Sequence, residues 1–178
     1  MTEALKRYAI LCLAVFAAMH LGHAQPKAAG TSWSFSGIGV TYEHLMNPGC
    51  FLNASIRAET GELFMNRSQS PGISASLSFN YILKSWKSRN GNMICAFAGP
   101  GISLGMADDL KKGRGYFIGL KGRAGAECSF DRQVSISICV NPVLGSHLTL
   151  EDDHLEMKLY RYGLLDAVMP EIGIKYMF

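Results

Sequence analysis

The chain has little that would let it hold a metal, grip a nucleic acid or cross a membrane as a helix. Its five cysteines are Cys12, Cys50, Cys95, Cys128 and Cys139. They form no CxxC pair and no histidine stands at metal-ligand spacing from them, so neither a zinc site nor any other cofactor is expected. Lys and Arg outnumber Asp and Glu by only 17 to 14. The basic residues are scattered rather than gathered in a stripe, and no nucleic-acid surface is marked. Beyond residue 24 no apolar run approaches the ~20 residues of a spanning helix. A membrane span in the body of the chain would have to be made of strands.

The one apolar run lies at the start. Lys6 and Arg7 precede a stretch from Tyr8 to about Leu21, followed by Gly22, His23 and Ala24. A basic segment, a short apolar segment and small residues before a cut after Ala24 make a cleaved secretory signal peptide over residues 1–24. Cys12 lies inside the apolar run behind Leu11, which excludes a lipoprotein signal. Export would permit disulfides among the remaining four cysteines. Residues 25–30 read as a short linker and 31–178 as a single domain.

What fills that domain is alternation. Ile73, Ala75, Leu77, Phe79, Tyr81 and Leu83 share one face of an extended segment, and Ser74, Ser76, Ser78 and Asn80 the other. Tyr116 to Phe130 opposes Ile118, Leu120, Ala124, Ala126 and Cys128 to Lys121, Arg123, Glu127 and Ser129. Val134 to Val140, Met93 to Met106 and Cys50 to Glu59 alternate in the same way. Trp33 to His44 is strand-like with an apolar phase that switches around Gly37, and Glu62 to Arg67 reads as a short strand. With Glu171 to Phe178 the count is eight.

Turn chemistry tests the count. Thr60-Gly61 and Asn90-Gly91 read as two-residue hairpin loops, and the apolar phase flips across each, setting Ile56 against Met65 and Leu83 against Ala98. Phe130 and Val134 keep the same phase, which requires an odd loop of Asp131, Arg132 and Gln133. In an antiparallel order these three tight connections share one end. Leu45 to Gly49, Ser68 to Gly72, Ala107 to Gly115 and Pro142 to Asp166 share the other. Tyr81, Phe130 and Tyr176 would then form an outward aromatic band near the tight-turn rim. Cys128 would point outward and Cys139 inward opposite Gly125, so the two cannot bridge.

The chain closes on EIGIKYMF, with Ile172, Ile174, Tyr176 and Phe178 on one strand face and Glu171, Gly173 and Lys175 on the other. This ending resembles the C-terminal assembly signal of bacterial outer-membrane β-barrels. With Gly99-Pro100-Gly101, the strand Gly115 to Phe130 carrying Gly119, Gly122 and Gly125, and Pro170 to Phe178, the chain resembles the small eight-stranded outer-membrane barrels, in particular exported barrel proteins of Bacteroidota. The resemblance implies an all-β, eight-stranded antiparallel up-and-down transmembrane barrel in the outer membrane. It also implies outer-membrane lipids as surroundings and the barrel-assembly machinery as a partner during biogenesis. A monomer is expected.

So small a barrel has an interior filled by side chains. Strand parity turns Arg57, Glu59, Glu62, Lys121, Arg123, Glu127, Glu171 and Lys175 inward, four of each sign, a set that can pair as a structural plug. His44 is expected at the outer end of its strand, His147 beside Ser146, and His154 in the acidic run Glu151-Asp152-Asp153. Ser146 and His147 would be the nucleophile and base of an outer-leaflet lipid-modifying enzyme, a deacylase or acyltransferase. Adjacent strand residues point to opposite faces, however, and no lipid A enzyme motif is matched. A non-enzymatic envelope-structural or surface-displaying barrel is therefore expected. The competing classes are that enzyme and a secreted barrel binding an apolar ligand.

Overall fold

The computed structural model describes residues 26–59, 72–109, 112–130, 133–151, 154–165 and 169–178. The alternating segments become ten strands: β1 (Lys27–Ser34), β2 (Gly37–Asn47), β3 (Cys50–Glu59), β4 (Gly72–Lys87), β5 (Met93–Asp109), β6 (Lys112–Phe130), β7 (Val134–Val140), β8 (Val143–Glu151), β9 (His154–Leu159) and β10 (Glu171–Met177). A single turn of helix, α1 (Tyr162–Leu165), lies between β9 and β10. All pairings are antiparallel, β6 pairs with both β5 and β7, and β10 pairs with both β7 and β1. The result is a closed eight-stranded barrel with no free edge at its waist.

Ten strands make eight staves because two staves are interrupted. β7 and β8 hold one register along β6, with Ala124 opposite Val140 and Lys121 opposite Val143. Pro142, which has no N–H to give a ladder, separates them, and its carbonyl accepts from the N–H of Gly122 at 2.8 Å. The eighth stave begins as β9, paired with β8. It leaves the wall after Tyr160, whose N–H still donates to the carbonyl of Gly145, and returns as β10.

Several sequence expectations are corrected. The segment 33–44 is a hairpin of two strands rather than one. Trp33 pairs with Ile38 across Phe35 and Ser36, and the phase switch at Gly37 is that turn. β1 also begins at Lys27, inside the stretch read as a linker. Ile56 lies opposite Ala75, not Met65, because β3 pairs directly with β4. The expected strand 62–67 and the Thr60-Gly61 turn, like the signal peptide over 1–24, fall outside the described residues.

Leu83 does not face Ala98, which pairs with Tyr81. The ladder shifts between Ile82 and Lys84, and Leu83 is the extra residue. The hairpin tip closes with the N–H of Ser88 donating to the carbonyl of Asn92 at 2.8 Å, and Gly91 sits at φ +86°, a conformation glycine reaches without strain. A three-residue loop plus one bulge residue gives the same phase flip as the two-residue loop expected. Phe130 pairs with Val134 across three residues, as the parity required. Cys139 is buried opposite Gly125, while Cys128 lies opposite Ile136.

The ends are also reassigned. Lys27 and Phe178 exchange backbone hydrogen bonds at one rim, closing the barrel. The β2–β3, β4–β5 and β6–β7 connections lie at that same rim. The connection after Leu45 therefore joins the terminal end, and the one after Glu59 the opposite end. His44, opposite Lys27, stands near the terminal rim rather than the far one.

Candidate functional site

The wall is built inside out relative to a soluble core. Trp33, Ile38, Val40, Ile56, Leu77, Ile102, Leu104, Ile118, Leu120, Ile136, Ile138 and Leu144 all stand exposed on its outer face, Leu120 at 69 %. Ile172, Ile174, Tyr176 and Phe178 join them, as do Tyr81 and Phe130 toward the terminal rim. Ser32, Thr41, Asn53, Ser78, Asn80, Ser135 and Ser137 are buried in the lumen instead. Alternation dictates both sets, since each strand turns one residue in and the next out.

Seven of the eight expected charges project into the lumen: Arg57, Glu59, Lys121, Arg123, Glu171 and Lys175 are buried and Glu127 nearly so. Glu62 lies outside the described residues. Glu43, absent from the expected set, supplies the fourth acid and is 7 % exposed. It sits at the centre of the network. Arg123 Nη1 donates to its Oε1 at 3.0 Å, Asn53 Nδ2 donates to the same oxygen at 3.0 Å, and Lys175 Nζ donates to its Oε2 at 2.6 Å. Lys175 Nζ also donates to Glu127 Oε2. One carboxylate thus joins β2, β3, β6 and β10 across the lumen, and every charge of this terminal-side cluster has an opposite partner. Arg123 further lies over the Phe97 ring, 5.0 Å from its centroid.

The second cluster lies toward the far rim. Arg57 Nη2 donates to Glu171 Oε2, and Arg57 Nη1 lies 4.0 Å from Glu59 Oε1. Ser74 Oγ donates to Glu59 Oε1 at 2.5 Å, and Arg57 Nη1 reaches Ser36 Oγ at 3.4 Å. Lys121 Nζ donates to Ser76 Oγ at 2.7 Å and forms no ion pair within 4.0 Å among the described residues. A thiol stands between the clusters: Cys139 Sγ donates to Glu171 Oε1 at 3.7 Å.

Apolar side chains pack at both ends of this polar column. Phe51, Phe97 and Cys139 cluster with Leu45 and Ile82 on the terminal side. A cavity of about 110 Å³ opens there, lined by Glu43, Glu127, Cys95, Phe51, Ile82 and Met177 among others. On the far side Ala107, Phe117, Val143 and Tyr160 pack together, with the Phe117 and Tyr160 rings stacked at 4.4 Å. Tyr160 faces inward by alternation, following outward Leu159, and its N–H still donates to the carbonyl of Gly145 at 2.9 Å.

His147 packs against this far cluster, its ring stacked 6.0 Å from that of Tyr160. It is 1 % exposed, its Nε2 lies 2.9 Å from the carbonyl of Ala107, and its Nδ1 lies 3.1 Å from Thr149 Oγ1. Gly115 makes room for it, since a Cβ there would stand 2.5 Å from His147 Cε1. Ser146 occupies the opposite wall face, across from Ile118 and Leu159. The two therefore form no nucleophile–base pair. His154 opens β9 opposite Glu151. Among the described residues no group of three or more His, Cys, Asp or Glu is placed to hold a metal ion, and the four described cysteines are free thiols.

No protein-family model and no curated protein matches the chain. Solved structures do. The N-terminal β-barrel domain of Pseudomonas aeruginosa OprF superposes with a TM-score of 0.52 at 14 % identity, over 86 % of this chain and 96 % of that one. A major outer membrane protein from Thermus thermophilus gives 0.50 at 11 % identity, over 88 % of this chain and 100 % of the other. The fold is that of the small outer-membrane β-barrels. At such identities the likeness extends to fold alone, and it shows no particular tie to the barrels of Bacteroidota.

Glu43 and Tyr160 are the residues that sequence reasoning missed. Both signals were present. Treating the phase switch at Gly37 as a turn puts Thr41 and Glu43 on the inner face, and continuing the alternation past outward Leu159 puts Tyr160 there too.

Proposed function

We propose that this protein is an integral outer-membrane β-barrel that acts without catalysis, as a structural part of the envelope or a carrier of surface loops, with its lumen closed. The observation that carries this reading is the inversion of polarity. Large apolar side chains cover the outside of a closed wall while seven charges are buried within and Glu127 is nearly so. Water around such a wall would face an apolar band far larger than soluble proteins expose, whereas lipid accepts it. A secreted binder of apolar ligands would need the opposite arrangement.

On this reading the terminal rim is periplasmic, the far rim external, and the protein a monomer surrounded by lipid. The test is membrane fractionation with detergent extraction, followed by gel mobility with and without heating. Recovery in the detergent-extracted outer membrane with a heat-dependent shift is expected; recovery in the soluble periplasmic fraction would end the reading. The assembly role of Ile172, Ile174, Tyr176 and Phe178 is separable. Deleting Phe178 should block insertion in cells while purified protein still refolds in detergent, because the defect lies in delivery rather than in the strand itself.

A further inference from the structure

We propose that the far-side cluster contains a built site for one water molecule, which joins Lys121, Glu59 and Asn141 and completes an ion pair that the side chains do not make directly. The three residues line a cavity of about 20 Å³, together with serine hydroxyls and the Phe117 and Tyr160 rings. That volume suits a single water, for which about 10 to 15 Å³ suffices. The cavity is polar and the three residues are buried: Glu59 is 8 % exposed, Lys121 6 % and Asn141 3 %.

The hydrogen-bond inventory identifies the occupant. Glu59 Oε2 and Asn141 Oδ1 are buried acceptors with no donor, while Lys121 Nζ has three N–H donors and uses one, on Ser76. Two orphan acceptors need an occupant that donates twice, and a spare ammonium N–H needs one that accepts. An anion such as chloride can only accept, and would meet the Glu59 carboxylate. A metal cation would satisfy the two oxygens but meet Lys121 and Arg57. Water donates to Glu59 Oε2 and Asn141 Oδ1 and accepts from Lys121 Nζ, which leaves it with about the three bonds typical of a buried water. Burying Glu59 and Lys121 without such a link would leave desolvated charge poorly compensated. The inference concerns the lumen and stands whichever solvent surrounds the wall.

The test is a high-resolution crystal structure of the detergent-refolded full chain grown with bromide in place of chloride. The expected result is one density peak at hydrogen-bond distance from all three atoms and without bromide anomalous signal. A bromide signal there would overturn the proposal, as would a direct Lys121–Glu59 contact with no peak between them. A second measurement uses protein labelled with nitrogen-15 at lysine, in micelles. The Lys121 ammonium should show a dipolar cross-peak to a long-lived water, and that cross-peak should disappear in Asn141→Leu while the folded spectrum remains. Its survival in Asn141→Leu would overturn the three-point site.

Discussion

The two charge clusters of the lumen have the same composition and different wiring. Each holds two carboxylates and two cations: Glu43, Glu127, Arg123 and Lys175 toward the termini, Glu59, Glu171, Arg57 and Lys121 toward the far rim. In the first, Glu43 accepts from both cations and Lys175 continues to Glu127, so no charge stands alone. In the second, Arg57 serves both acids while Lys121 rests on a serine. Equal charge counts therefore do not make equal braces. What decides the strength of a buried network is whether removing one member strands another.

The sharpest way to break the comparison is Glu43→Gln. It removes the charge facing Arg123 and Lys175 together, and the loss should reach about 3 to 5 kcal/mol, the cost of leaving a buried ion without its partner. Urea unfolding of the refolded protein, followed by tryptophan fluorescence, measures it. A loss under 1 kcal/mol would mean that the cations find other partners and that Glu43 is no hub.

Leu120→Arg comes next, at about 2 to 4 kcal/mol if the site lies near the middle of a bilayer. Leu120 is the outward neighbour of Lys121 on the same strand, so the pair contrasts the two faces of one wall. In lipid vesicles the outward charge should be costly, and in detergent less so. Equal stability of Leu120→Arg and the parent in vesicles would argue that no lipid contacts this face. Arg123→Lys should follow at about 1 kcal/mol. The charge toward Glu43 is kept, but the placement over Phe97 and the guanidinium's fixed geometry are lost.

How much of this was legible in the sequence depends on what parity can see. Alternation identifies which residues share a face, and that was enough to turn Arg57, Lys121, Arg123, Glu171 and Lys175 inward and to set Cys139 opposite Gly125. Parity is blind to any error of two residues. A three-residue loop with a bulge at Leu83 has the same signature as a two-residue loop, and Ile56 opposite Ala75 the same as Ile56 opposite Met65. The expected count of eight treats the β1–β2 hairpin as a single strand and includes residues 62–67, which fall outside the described residues. Glu43 was hidden by the single-strand reading, since a strand running through Gly37 carries the wrong phase into its second half. Which carboxylate meets which cation depends on side chains reaching across the lumen between residues 80 and 132 apart in the chain, and local pattern holds nothing of that.

Lys121→Met should have the smallest effect, and for that reason it tests the comparison from the other side. Methionine keeps most of the length and apolar stem of lysine, so the volume beside Ser76 and Phe117 stays filled. The carboxylate most affected, Glu59, still has Arg57 at 4.0 Å and the hydroxyl of Ser74, and Glu171 keeps Arg57. Neither acid is stranded, so the expected loss is about 0.5 kcal/mol, the low end for a single hydrogen bond. Adding Glu59→Gln should recover part of that loss, because the far-side cluster then regains equal numbers of acids and bases. A loss for Lys121→Met as large as that for Glu43→Gln would show that Lys121 carries a direct charge partner, and the two clusters would then be wired alike.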